Sequence, residues 1–333
     1  MKAYITATFD AGALDHLRRK MEVVYEDWRQ THKLYFSGEE FAERIRATGA
    51  DILIVEADLV HEEVIEGCGL KMIGAARGDP LNIRVDLATE RKIPVFFAPA
   101  RNAEAVAELT VGFMLSTMRR IHEVYYELRS GRLRFDHGED YFGGYQRYTG
   151  IELEGKVVGI VGFGAIGQRV ARILGGFGCR LLAYDPYAQE GSFQKLGAQR
   201  TDLDTLVHDC DILTIHCPEA PETDDLVNAD RVRALKPGAY VMNLARARVV
   251  NEDALYEGLR SGRIAAAGLD VLSHEPVQPD NRFLLLPNVV ILPHYGGNTR
   301  ETVVRQSRMI IEAMEDYEAG RRPKNLCNPE VMS

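Results

Sequence analysis

Residues 156–174, KVVGIVGFGAIGQRVARIL, can fold in few ways. A near-continuous apolar run rich in β-branched residues reads as a strand buried on both faces. It leads straight into Gly162, Gly164 and Gly167, and a helical pattern follows with Ala165 and Ile166 in its first turn. In such a strand–turn–helix the first glycine permits the tight turn. The second lets the backbone approach a pyrophosphate, and the third lets helix and strand pack closely. The helix N-terminus offers an anion free N–H groups and the positive end of the helix dipole. Asp185 ends the next expected strand 23 residues after Gly162, close to the spacing of about 20 at which a carboxylate meets the ribose 2′-OH. The same carboxylate repels a 2′-phosphate, so the expected cofactor is NAD. A glycine-rich turn without a ligand is the alternative.

Strand-like and helix-like stretches alternate from end to end, with no internal repeat and no low-complexity linker. The fold class is therefore α/β with parallel sheets. Strands are expected at 2–8, 23–26, 51–55, 71–75 and 94–97, and again at 157–161, 180–184, 212–216, 239–244, 265–271 and 289–292. Ser37 and Glu40 form an S-x-x-E capping box that opens a helix to about 48. One long helix is expected over 103–130, stopped by Gly131. The stretch after it is aromatic and glycine-rich (Tyr141, Phe142, Tyr145, Tyr148) and reads as an excursion from the fold. A last helix spans 298–319 and ends at Gly320.

A length of 333 residues allows two domains, and 46% hydrophobic with 27% charged residues is a globular balance. Forty basic against 49 acidic side chains, net −9, argues against nucleic acid as a partner. No apolar stretch approaches a membrane span, and residues 1–10 read as a strand and not a signal peptide. The five cysteines (68, 179, 210, 217 and 327) are odd in number, irregularly spaced and without a CxxC. That pattern fits a reducing cytoplasm and no zinc site. The nine histidines lack ligand spacing, so no metal is expected.

In open parallel sheets, ligands bind at the carboxyl ends of the strands. Three ionisable residues follow such ends in the second series. Arg246 follows YVMNLA, Glu275 follows AGLDVLSH and His294 follows NVVILP. Each alone is more often a solvated or structural charge. Together beside a nicotinamide they make a working set. A histidine exchanges a proton with a hydroxyl near neutral pH. A glutamate orients the imidazole and stabilises the imidazolium. An arginine clamps a carboxylate through two N–H groups.

Six stretches in this order resemble the D-isomer-specific 2-hydroxyacid dehydrogenases. They are ARNAEAVAELTVGFML (100–115), GKVVGIVGFGAIGQRVA (155–171), DILTIHCPEAPET (211–223), LKPGAYVMNLARARVVNEDAL (235–255), AAGLDVLSHEP (266–276) and LPNVVILPHYGGNT (286–299). The resemblance runs from about 53 to 320. It implies that Arg246, Glu275 and His294 are catalytic and that Asp270 faces the nicotinamide carboxamide. It implies that Cys217, Pro218 and Ala245 line the cofactor site, with Thr223 in the same loop. Cys217 is equally readable as a small packing residue. The implied architecture is two Rossmann-like or flavodoxin-like domains. A dinucleotide-binding domain, 102–298, is inserted into a discontinuous substrate domain, 1–101 and 299–333, with the active site in the cleft between them. The implied partners are a small 2-hydroxy or 2-oxo acid and a second copy in a homodimer, whose interface is expected in 103–130 and the aromatic excursion.

Two departures from the family pattern matter. Ala247 stands where a glycine usually follows the catalytic arginine. The substrate loop reads Ala76-Arg77-Gly78-Asp79-Pro80-Leu81-Asn82-Ile83-Arg84 and keeps only the Asn-Ile register. Arg77, Gly78 and Glu56 are the expected substrate-side residues, with backbone N–H groups near Arg77 and Gly78 closing on the substrate carboxylate. They suit a polyhydroxylated, sugar-derived or second-anion-bearing acid, unless Arg77 and Glu56 pair with each other and only shape the loop. The function expected is hydride transfer between NAD(H) and such an acid. The alternative is an NAD(H)-binding, co-repressor-like interaction protein without turnover. A formate dehydrogenase is disfavoured because those relatives carry Gln where this chain has Glu275.

Overall fold

A computed structural model describes residues 1–332. The chain divides into two units: Met1–Asn102 with the stretch from Asn298 onward, and Ala103–Gly297.

The first unit holds five strands, β1 (Lys2–Ile5), β2 (Glu22–Tyr25), β3 (Ile52–Val55), β4 (Met72–Ala75) and β5 (Val95–Phe96). All pairings are parallel, in the order β2-β1-β3-β4-β5. The sequence ILIV of β3 is buried at every position, as a central strand covered on both faces requires. One face packs Phe41, Ile45, Val64 and Ile73. The other packs Ile5, Ile52 and Phe96 against Ile310 and Met314 of the helix Arg300–Glu318. Gly74 explains how close that helix comes: a Cβ there would lie 2.8 Å from Ile310 Cγ2. The strand order reverses between β1 and β3, and in this topology ligands bind outside the carboxyl ends at that switch point.

The second unit holds β6 (Val157–Val161), β7 (Arg180–Tyr184), β8 (Ala198–Arg200), β9 (Ile212–Ile215), β10 (Ala239–Asn243), β11 (Ile264–Leu269) and β12 (Val289–Ile291). The sheet is again parallel, in the order β12-β11-β10-β9-β6-β7-β8, with its switch point between β6 and β9. Cores lie on both faces. One centres on Phe113, Met114, Val170 and Leu174, the other on Leu206, Val241 and Leu255.

Three sequence expectations change. The helix expected over 103–130 is two helices, Ala103–Met118 and Ile121–Arg129, broken at Arg120 with φ 54°. The break is held by the Arg120 side chain, which donates to Glu123 at 2.8 and 2.9 Å and to the Arg147 carbonyl at 2.8 Å. The aromatic stretch carries a helix of its own, Asp140–Arg147. The edge strand β8 has only three residues, AQR, two of them exposed, too short for a periodic signal. The Ser37 hydroxyl accepts the Glu40 N–H at 3.4 Å, so the serine half of the capping box is in place. Among the described residues no helix is long and apolar enough to cross a membrane.

Candidate active site

The glycine turn after β6 lies at the switch point of the second sheet. Gly162 has φ +90°, and a Cβ on it would lie 2.6 Å from the Cys217 nitrogen, in the chain leaving β9. A Cβ on Gly167 would lie 2.1 Å from the Gly162 carbonyl oxygen, so the helix Ala165–Leu174 sits directly on the turn. Around Gly164 nothing lies within 4 Å of where a Cβ would stand, and no side chain caps the helix. The N–H groups of Ala165 and Ile166 therefore border open space, and these residues fit a pyrophosphate.

Asp185 follows β7 and is half-buried. Its Oδ2 accepts the Phe163 N–H at 2.7 Å, and Oδ1 accepts those of Tyr187 at 2.8 Å and Ala188 at 3.0 Å. A carboxylate has about four lone-pair sites, so room remains for a ribose hydroxyl. Cys217 is held against the turn, and burial pushes its thiol up to about 11. Pro218 is exposed. The Thr223 hydroxyl donates to the Pro218 carbonyl at 2.7 Å and accepts the Ala220 N–H at 2.8 Å, so its visible work is to shape that loop.

The charged groups come from three neighbouring strand ends. After β12, Nδ1 of His294 lies 2.8 Å from Oε2 of Glu275, whose Oε1 accepts the Leu272 N–H at 3.4 Å. His294 has φ 60°, a left-handed backbone that costs a non-glycine residue about 1–3 kcal/mol. Asp270, after β11, offsets it. Its carbonyl accepts the His294 N–H at 2.8 Å, and its carboxylate accepts the N–H groups of Tyr295 and Gly296, both at 2.7 Å. Asp270 is only 2% exposed. Burial pushes its carboxyl above the usual range, and the Gly296 and Tyr295 N–H groups pull it back.

Arg246, after β10, is exposed and uses Nη1 on the Ala245 carbonyl at 2.7 Å, which leaves the rest of its guanidinium free. It bonds neither His294 nor Glu275. Ala245 is buried, and its N–H donates to the Asn243 side chain at 3.1 Å. Asn243 also donates Nδ2 to the Arg246 carbonyl at 3.0 Å, closing an Asx-type turn that presents the arginine. Ala247 opens a 3-10 turn without a positive φ, so the backbone there accepts a methyl group without strain.

In the first unit, Glu56 is 7% exposed and does not pair with Arg77. It lies 3.3 Å from Arg101 Nη2 and accepts from Trp28 Nε1 at 3.0 Å and from the Thr8 N–H at 3.4 Å. Among the described residues no Arg77–Glu56 ion pair forms; the Glu56 carboxylate is turned to Arg101 and Trp28 instead. Arg77 is half-buried and Gly78 exposed, and no backbone hydrogen bond engages either N–H among the described residues.

The family described as D-isomer specific 2-hydroxyacid dehydrogenase, NAD binding domain, matches residues 111–296. A glyoxylate reductase of Thermofilum pendens is 34% identical, over 99% of this chain and 95% of that one. A D-3-phosphoglycerate dehydrogenase of Archaeoglobus fulgidus is 32% identical over 98% of this chain, which spans 59% of that longer protein. The crystal structure of the TT0316 protein from Thermus thermophilus superposes with a TM-score of 0.85 at 33% identity, covering 98% of this chain and all of that one. A match over more than half of the chain, and relatives this similar along nearly its full length, show that it belongs to the D-isomer-specific 2-hydroxyacid dehydrogenases, NAD-dependent oxidoreductases of small 2-hydroxy acids.

Proposed function

We propose that Arg246, Glu275 and His294 carry the reaction. The observation supporting this is the 2.8 Å bond from His294 Nδ1 to Glu275. It fixes the ring and leaves Nε2 to take the hydroxyl proton during oxidation and to return it during reduction. Arg246, with most of its N–H donors free, grips the substrate carboxylate and polarises the C2 oxygen. Bound NAD supplies the hydride acceptor or donor at C2. The N–H groups of Ala165 and Ile166 at the Gly164 turn hold its pyrophosphate, Asp185 its ribose and the Asp270 region its nicotinamide.

Residues 102–298 form the NAD-binding domain in this reading, and 1–101 with 299–333 the substrate domain. Arg77 and Gly78 contact the acid, and Glu56 acts through Arg101 and Trp28. The substrate is a D-2-hydroxy acid or 2-oxo acid with further polar groups. Five free cysteines suit a cytoplasmic enzyme. The exposed Tyr125 (63%), Phe142 (77%) and Tyr145 (78%) suit a homodimer.

The test is a panel of 2-oxo acids with NADH, followed by loss of NADH absorbance. His294→Ala should lower kcat at least about a hundredfold, the usual size of a general acid–base contribution. A near-wild-type kcat in that variant overturns the assignment.

A further inference from the structure

In the second unit two loops leave neighbouring strand ends. The loop after β9 passes Cys217, against the Gly162 turn, and runs on to Val227. The loop after β10 carries Arg246 and ends at Asn251, the N-cap of the helix Glu252–Arg260. The two loops are stitched side by side. Val227 and Val250 form a parallel bridge, and both are buried. The Asp225 N–H donates to the Arg248 carbonyl at 2.8 Å, and the Val227 N–H to the Val249 carbonyl at 2.9 Å. One charged link joins them as well. Arg248 places Nε and Nη2 on the two carboxylate oxygens of Asp224, both at 2.8 Å, as a fork. Glu219 stands 3.9 Å from Arg248 Nε, beyond hydrogen-bond distance. Arg246 and Arg248 belong to one tight turn, in which the Val249 N–H reaches back to the Arg246 carbonyl at 3.4 Å. Asn243 pins the near end of that turn, with Nδ2 on the Arg246 carbonyl, and Arg248 pins the far end. The fork is exposed, 65% at Arg248 and 44% at Asp224. Such a pair adds little to stability, but its paired N–H donors fix a direction.

We propose that Asp224 and Arg248 are positioning residues for Arg246: their fork holds the far end of the turn, and with it the direction in which the Arg246 guanidinium meets the substrate carboxylate. The inference deepens the proposed function and rests on its assignment of Arg246. Backbone bonds set the path of the turn, while Arg246 itself has only Nη1 engaged, on the Ala245 carbonyl. Its aim therefore depends on how firmly the turn beneath it is held, and small misplacements of a gripping group are costly in rate. The Arg248 guanidinium holds the Asp224 carboxyl below the usual carboxylate range, so the fork stays ionised around neutral pH. Asp224 comes from the loop that meets the glycine turn at Cys217. One loop thus borders the turn assigned to the cofactor and orients the residue assigned to the acid.

The test is a double-mutant cycle of Asp224→Asn, Arg248→Gln and the two combined, assayed with NADH and a 2-oxo acid that the wild type reduces. Each single variant should raise KM for the acid about three- to fivefold. The effect should fall on KM more than on kcat, because the grip on the carboxylate is already made in the ground state. KM for NADH and Tm should barely move, which separates positioning from a merely structural role. The combined variant should raise KM no further than a single one, since either change breaks the same fork. Arg248→Gln placed on top of Arg246→Gln should add nothing, because the positioned group is gone. Losses that add in either combination overturn the inference, and so does an unchanged KM for the acid in the folded variants. Both results leave the assignment of Arg246 standing. The same cycle is read without turnover through NADH fluorescence, with oxamate, an unreactive carboxylate, binding to the NADH complex. Oxamate binding weakened alike in all three variants, with no 2-oxo acid turned over by the wild type, supports the positioning role and removes the catalytic assignment. A wild type that neither binds oxamate nor turns over any 2-oxo acid overturns both.

Discussion

The backbone N–H of His294 donates to the backbone carbonyl of Asp270 at 2.8 Å, and the Asp270 carboxylate takes the next two N–H groups along the chain. One buried acid therefore sets the left-handed turn that aims the imidazole. Asp270→Asn puts an amide donor against an N–H donor, and an unpaired buried group costs about 1–3 kcal/mol. The variant should show a lower Tm and a kcat reduced at least about tenfold. An unchanged kcat with a lowered Tm would make Asp270 a scaffold residue only.

The proposed role of Asp185 in cofactor choice gives a second prediction. Its carboxylate bonds the N–H groups of Phe163, Tyr187 and Ala188 and keeps negative charge at the end of β7. Arg200 stands next to it, with Nη2 donating to the Asp185 carbonyl at 3.3 Å. Asp185→Ser removes the repulsion and leaves that cation for a 2′-phosphate. The NADPH-to-NADH ratio of kcat/KM should rise about tenfold or more, while NADH use falls because three backbone bonds are lost. A wild-type enzyme that prefers NADPH contradicts this account of Asp185.

Much of the fold is legible because parallel strands buried on both faces read as plain apolar runs. ILIV of β3 and VVGIV of β6 carry that signal, and the glycines between β6 and its helix mark the turn. Asn243 and Asp270 escape sequence reading as positioning groups, because their work is done through backbone N–H and carbonyl groups. The signal available for Asn243 was its place at a strand end, where Asx turns form. Arg120 breaks a helix whose apolar pattern continues through it, because side-chain bonds to Glu123 and Arg147 outweigh local propensity. Arg101 was invisible as the partner of Glu56, since 45 residues separate them in the chain.

Cys217 supplies a pH-dependent test. Burial pushes its thiol up to about 11, so the neutral thiol dominates at pH 7 and the reactive thiolate is scarce. Alkylation by iodoacetamide, read on the Cys217 peptide by mass spectrometry, should be slow at pH 7. Its rate should rise about tenfold per pH unit as the thiolate fraction grows. A fast, pH-independent reaction between pH 7 and 9 would mean that the thiol is not buried against the glycine turn.

The last prediction concerns the aromatic surface of the second unit. The helix Ile121–Arg129 leaves Ile121 56% and Tyr125 63% exposed, and the helix Asp140–Arg147 leaves Phe142 77% and Tyr145 78% exposed. Some neighbours are satisfied internally: Arg132 lies over the Tyr126 ring, and Phe135 stacks on Tyr141. Among the described residues Tyr125, Phe142 and Tyr145 have no such ring partner. Contiguous exposed apolar groups are unusual on a monomer, and a stable interface needs about 1,200–2,000 Å² of buried surface. A second copy of the same face can supply that area on both sides, as a two-fold interface does. The wild-type chain should therefore sediment as a dimer. Phe142→Asp combined with Tyr145→Asp should sediment as a monomer, because each carboxylate would be buried without a partner. Its Tm should also lose the dependence on protein concentration that subunit association gives the wild type. A wild-type monomer at micromolar concentration, or a double variant that stays dimeric, rules this face out as the interface.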